Sequence, residues 1–190
     1  MVSLTSLWMP ILLSAVFVFI ASSIIHMVLR YHSSDFAKLP QEDQVLGALR
    51  PLNIPPGDYM GPYANTSAQM KSPEYQEKVR LGPVIALTVF RSGSFERMGQ
   101  RLVLWFLFAI VVSLFAGYIA SRTLPPGTDY LAVFRIAGTV AFAGYALAHL
   151  PASIWYDRAW GTTFRNMLDG LIYGLLTGGT FGWLWPAAVV

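Results

Sequence analysis

Four long apolar stretches constrain this chain more than any other feature of its sequence. A helix needs ~20 mainly apolar residues to cross the ~30 Å hydrocarbon layer of a bilayer. Four stretches have about that length, at 7–29, 102–120, 131–150 and 167–185. They lack the alternation typical of a membrane-barrel strand, whereas a helix satisfies its own backbone hydrogen bonds in lipid. The sequence therefore predicts an all-α membrane protein with four transmembrane helices.

The composition agrees with a membrane protein and excludes several other classes. Hydrophobic residues make up 55% of the chain, charged residues only 12%, and the mean hydropathy is +0.51. Such a chain is not intrinsically disordered, and a net charge of +3 spread over it does not make a nucleic-acid-binding surface. The absence of cysteine excludes disulfides, thiol catalysis and Cys-ligated metal centres.

The first apolar stretch is predicted to be a membrane span rather than a secretory signal peptide. Neither Lys nor Arg precedes it, and its apolar part is longer than the usual ~7–15 residues. Trp8 lies at one end of this stretch, and Trp183 and Trp185 lie at the far end of the last one. Tryptophans in these positions are typical anchors at the membrane–water interface.

The distribution of Lys and Arg predicts the orientation in the membrane. Eleven of these residues fall in the segment 30–101 and in the third connection, whereas only Arg122 and Arg135 belong to the other side. Positive charge concentrates on the cytoplasmic side of inner-membrane proteins. We therefore expect a multi-pass membrane protein, with a cytoplasmic segment 30–101 and both termini on the opposite side of the membrane.

The polar segment is predicted to be a small α/β insert, which divides the chain into a first span at 1–30, the insert at 31–101 and a three-helix region at 102–190. Turn and capping residues predict a helix at 40–50, a short strand at Tyr59 and Met60, and a second helix that Ser72 caps and Pro73 begins. The run from Val84 to Phe90 reads as a buried strand.

Small residues recur every four positions in the spans, a spacing typical of a glycine zipper. In a helix this spacing places them along one face, where they permit two backbones to approach closely. One interpretation is packing within the bundle, and the other is a groove that receives a helix of a partner protein. The residues concerned are Gly170, Gly174, Gly178 and Gly182 in the fourth span, and Ser113 and Gly117 in the second.

Four ionisable residues lie within or at the ends of the spans, where such groups are candidates for function. His26, His149 and Asp169 share the cytoplasmic depth in the predicted topology, and Arg135 lies near the outer surface. Two histidines at one depth could ligate haem, a single histidine a chlorin pigment, and the His–His–Asp set could relay protons or bind a divalent metal. The simpler interpretation is that these side chains reach interfacial water. We therefore assign no metal site and no resident cofactor, and keep His26 and His149 as cofactor-binding candidates.

Several short motifs resemble a known family. The insert carries H-S-S-D-F-x-K-L-P at 32–40, P-G-D-Y-M at 56–60 and M-K-S-P-E at 70–74, and the C-terminal part carries Y-L-A-V-F-R-I-A-G-T at 130–139 and D-G-L-I-Y-G-L-L-T at 169–177. Together they resemble a family of uncharacterised four-span bacterial inner-membrane proteins. The resemblance implies a membrane protein without known catalytic residues.

Catalytic motifs are missing from the sequence: no phosphate-binding glycine loop, G-x-S-x-G or H-E-x-x-H occurs. Together with the glycine-lined faces and abundant aromatic residues, this predicts a non-catalytic accessory or scaffolding subunit of a larger membrane complex, of respiratory or photosynthetic type. Its expected partners are lipids and other membrane subunits, not nucleic acid. The alternative is a small cofactor-binding or transport protein that uses His26, His149 and Asp169.

Overall fold

The computed structural model describes residues 1–94 and 96–188, and the protein is 70% helical. The elements are, in chain order, α1 (Trp8–Ile24), α2 (Glu42–Leu49), β1 (Gly57–Gly61), α3 (Ser67–Met70), α4 (Pro73–Leu81), β2 (Ile85–Val89), α5 (Met98–Thr123), α6 (Tyr130–Ala146), α7 (Leu150–Tyr156) and α8 (Trp160–Trp183). Short 3-10 turns precede α1 at Leu4–Leu7 and join α6 to α7 at Leu147–His149.

Three helical segments are long and apolar enough to cross a membrane: Leu4–Leu29, Met98–Thr123 and Tyr130–Tyr156. They correspond to the first three predicted spans, so a multi-pass membrane protein is supported. The fourth predicted span forms the helix α8, but α8 is not among these three segments. Its glycines and threonines, together with Asp169 and Arg165, lower its hydropathy below that of a typical span.

Helices α1, α5, α6 and α8 contribute to two shared apolar clusters. One cluster includes Val18 of α1, Val112 of α5, Tyr145 of α6 and Tyr173 of α8. The other joins Leu7, Ile11, Ala116, Val133, Ala137 and Phe181 with Val2. Because every one of the four helices contributes to both clusters, α8 packs along the same bundle as the three apolar segments.

The glycine face of α8 packs against α6 of the same chain. A Cβ atom placed on Gly178 would lie 2.7 Å from the carbonyl oxygen of Phe134, and one on Gly170 would lie 2.8 Å from the Cβ of Ala146. On Gly182 it would lie 2.7 Å from the ring of Tyr130. These separations are too short for any side chain, so the two backbones approach closely only because glycine is present.

Polar side chains also link the helices. The hydroxyl of Ser14 on α1 donates a hydrogen bond of 2.9 Å to the hydroxyl of Ser113 on α5. Trp105 Nε1 on α5 donates to Ser22 Oγ on α1, also at 2.9 Å. Ser113 is therefore a contact between α1 and α5, and Gly117 leaves room for the ring of Phe181 on α8.

The chain divides into two compact units, of which the first comprises Met1–Ala37 and Gly99–Val190 and the second Lys38–Met98. The predicted insert began at residue 31. Residues 31–37 instead belong to the helical unit, because Tyr31, His32 and Asp35 bond to side chains of α8.

The second unit contains a two-stranded antiparallel sheet in which Gly57 pairs with Val89 and Gly61 with Ile85. Ser72 Oγ accepts a hydrogen bond from the backbone N–H of Tyr75, which caps α4 as the sequence predicts. The prediction of a buried strand at 84–90 is wrong, since β2 is exposed or half-buried throughout. Its apolar residues have only one neighbouring strand, and a two-stranded sheet has no second layer to cover them.

Candidate functional site

A reversal of the chain after the first span builds the site. The helix α1 continues as a π-helical turn, Ile25–Leu29, and Arg30 then adopts a left-handed conformation with φ of 51°. A 3-10 turn, Tyr31–Ser34, follows at once. The left-handed conformation costs a non-glycine residue such as Arg30 roughly 1–2 kcal/mol. π-Helical turns such as Ile25–Leu29 occur frequently at functional sites. The reversal brings the His32 ring back to the His26 ring, with 4.6 Å between the ring centroids.

The imidazole of His32 lies between two carboxylates. Its Nδ1 is 2.6 Å from Asp35 Oδ2, and its Nε2 is 2.8 Å from Asp169 Oδ2 on α8. A neutral imidazole carries only one N–H, and an ionised carboxylate offers none. Both short contacts are therefore satisfied together when His32 is protonated, or when a cation replaces the proton at one nitrogen.

Arg165 of α8 holds Asp35 in place. Its Nε donates to Asp35 Oδ1 at 2.8 Å, and a terminal nitrogen of the same guanidinium lies 2.6 Å from that oxygen. Burial works to raise the pKa of Asp35, but the hydrogen bonds from His32 and Arg165 outweigh it, so the pKa lies below its ordinary value. Asp35 is thus an ionised acceptor for the Nδ1–H of His32.

Asp169 is the buried centre of the site. Tyr31 donates its phenolic O–H to Asp169 Oδ1, which leaves Oδ2 to face His32. Burial, and then the hydrogen bond to Asp169, raise the pKa of Tyr31 above its ordinary value, so the phenol stays protonated. The side chain of Asp169 is only 6% exposed.

His26, His32 and Asp169 together form a group with metal-ligating chemistry. Each offers one ligand atom, and these three atoms lie within 4.8 Å of one another. His26 is exposed, His32 is half-buried and Asp169 is buried, so the group opens from a fixed carboxylate towards the surface. The arrangement can hold a proton or a cation between two nitrogens and one oxygen.

The structure brings together two of the three polar residues that the sequence places at the cytoplasmic depth, His26 and Asp169. His149, the second cofactor candidate, lies in the turn between α6 and α7 and interacts electrostatically with Asp169. It is not a member of the group formed by His26, His32 and Asp169. Haem or chlorin binding by His26 and His149 stays a prediction.

Arg135 lies elsewhere, exposed on α6, where it lines a shallow cavity of about 230 Å³ with Thr139 and Leu171.

Sequence reasoning missed four residues of the site: Tyr31, His32, Asp35 and Arg165. A signal for two of them was available, because His32 and Asp35 are three residues apart directly after the first span. Such a pair meets on one side of a helical turn. The pairing of Asp35 with Arg165 joins residues 130 positions apart and has no local signature.

The chain matches no protein-family model, no curated protein and no solved structure.

Proposed function

We propose that this protein is a non-catalytic accessory subunit of a larger assembly in the bacterial inner membrane. The observation that carries the proposal is the surface of the second unit. Among its described residues, 38–94 and 96–98, no side chain is buried. Unusually large exposed apolar surfaces mark sites of protein–protein or membrane contact.

The exposed apolar residues of this unit are large and numerous. Among the residues of this unit that the structure describes, the large apolar side chains more than half exposed are those of Leu52, Tyr63, Leu81, Val84, Phe90 and Met98. A groove of about 350 Å³ lies between α2 and β2, lined by Leu46, Leu49, Ile54 and Leu87. An apolar groove of this kind suits the anchor side chain of a protein partner.

The charge of the second unit favours a protein over a lipid surface as the partner. Residues 38–98 hold 7 Lys and Arg and 6 Asp and Glu, so the formal charge is 7 − 6 = +1. Segments that bind the anionic cytoplasmic leaflet typically carry clusters of 4–8 basic residues. The proposed partner is therefore a membrane protein whose cytoplasmic portion covers the apolar surface.

The proposal includes four spans, with the second unit in the cytoplasm and both termini in the periplasm. The packing of α8 supports it, since Gly170 lies against Ala146 and Gly182 against Tyr130. The helix therefore runs antiparallel to α6 at the same depth. The distribution of Lys and Arg supports the stated orientation.

The partner is tested by native electrophoresis of membranes dissolved in a mild detergent. Wild-type chain is expected in a complex larger than its monomer, whereas Leu52→Asp with Val84→Asp migrates as the monomer. Asn65→Asp is the control, because it adds a negative charge at an exposed polar position of the same unit. Wild type that migrates solely as monomer, or a double variant that stays in the complex, refutes the proposal.

The topology is tested with single introduced cysteines, which the cysteine-free chain permits without background. Lys71→Cys in the second unit should react only with reagents that reach the cytoplasm. Thr128→Cys, in the connection between α5 and α6, should react with reagents confined to the periplasm. Labelling of both positions from one side contradicts the proposed arrangement.

A further inference from the structure

We propose that His26, His32 and Asp169 bind a divalent transition-metal ion at the end of the first span. This inference is independent of the accessory-subunit proposal, because it concerns the helical unit alone. Two imidazole nitrogens and one carboxylate oxygen form a ligand set that Zn²⁺ and Fe²⁺ accept in proteins.

The three ligand atoms already lie near the spacing that one ion requires. With metal–ligand bonds of roughly 2.1 Å, two ligands of the same ion are at most about 4.2 Å apart. The atoms here lie within 4.8 Å, and His32 Nε2 is 2.8 Å from Asp169 Oδ2. Closing the remaining gap requires a small movement of His26, whose side chain is exposed.

The residues around these ligands form the hydrogen bonds that are typical of a metal site. Metal-bound histidines almost always donate their second N–H to a carboxylate, a carbonyl or water, which fixes the tautomer. His32 does so through Nδ1 to Asp35, and Arg165 in turn fixes Asp35. The bond from Tyr31 occupies Asp169 Oδ1 and leaves Oδ2 for the ion. The tautomer that places the proton on Nδ1 leaves the Nε2 lone pair directed at the position of the ion.

The electrostatics favour a cation at this position. With neutral imidazoles, the carboxylates of Asp35 and Asp169 and the guanidinium of Arg165 sum to −1 + −1 + 1 = −1. A divalent ion replaces the proton between His32 Nε2 and Asp169 and satisfies two facing acceptors. Three protein ligands leave at least one coordination position for water or a substrate oxygen.

Cobalt(II) titration of the purified full-length chain in detergent tests the site. Tetrahedral Co²⁺ absorbs visible light, so binding is followed directly, and Zn²⁺ added afterwards should displace it. We expect saturation at one ion per chain. His26→Ala should weaken binding at least about tenfold and keep the fold, because the side chain is exposed.

Two further variants distinguish binding at this ligand set from a loss of affinity that any nearby substitution would cause. Asp35→Asn keeps the shape of the side chain but removes its charge, and should lower affinity about 10–100-fold. His149→Ala is the matched control, a neighbouring histidine outside the group, and should bind as wild type does. Absence of saturable binding, unchanged affinity in His26→Ala, or equal loss in His149→Ala overturns the proposal.

Discussion

A single added methyl group tests how closely α6 and α8 pack. Gly178 is the position of choice, because its Cβ would meet backbone atoms, which cannot rotate away as a side chain can. That atom would lie 2.7 Å from the carbonyl oxygen of Phe134 and 3.0 Å from the Cα of Gly138. Ordinary van der Waals contact begins at 3.4 Å, so relaxing Gly178→Ala to an ordinary contact separates the two backbones locally by 3.4 − 2.7 = 0.7 Å.

Gly179, the next residue along α8, provides the control that isolates the free-energy cost of this separation. A Cβ on Gly179 meets its nearest neighbour, the hydroxyl of Tyr130, at an ordinary 3.5 Å. Both Gly→Ala changes gain similar helix propensity, about 1 kcal/mol. Only Gly178→Ala overpacks the interface between α6 and α8, and overpacking typically costs ~1–3 kcal/mol. We therefore expect Gly178→Ala to be less stable than Gly179→Ala by about 1–3 kcal/mol.

The difference is measured by unfolding each variant in mixed micelles with increasing SDS, followed by the fluorescence of the native tryptophans. The free energy of unfolding of Gly179→Ala should equal or exceed that of wild type. If Gly178→Ala is as stable as Gly179→Ala, the helices do not approach as closely as described. The glycine face would then be available for a partner helix, the second interpretation of the sequence pattern.

Three further changes test individual contacts. The double-mutant cycle of Ser14→Ala and Ser113→Ala should give a coupling energy of about 0.6 kcal/mol, typical of hydrogen bonds between membrane helices, and a value of zero contradicts the contact. Trp105→Phe removes the hydrogen bond to Ser22 but keeps an aromatic ring, and should lower the free energy of unfolding by about 0.5–1.5 kcal/mol. Ser72→Ala should destabilise the start of α4 by about 1 kcal/mol, seen as faster amide exchange in its first turn; unchanged exchange there would contradict the cap.

Local sequence predicted much of the fold. Apolar length predicted the first three spans because lipid thickness sets the length of a spanning helix. The four-residue glycine spacing predicted one packing face of α8 because a helix repeats every 3.6 residues. Capping by Ser72 and the strand at Tyr59 were also predictable, since each depends on a few adjacent residues.

The sequence placed His26 and Asp169 at one depth, but only the tertiary structure decided which side chains meet there. The contacts of His32 with Asp169 and of Asp35 with Arg165 join residues 137 and 130 positions apart. Hydropathy fixes the depth of a residue in the bilayer, not the rotation of its helix. That rotation follows from the packing of α8 on its neighbours, and the left-handed turn at Arg30 returns His32 to the same point. The sequence by itself thus determined a multi-pass helical protein, whereas packing created the His–Asp cluster.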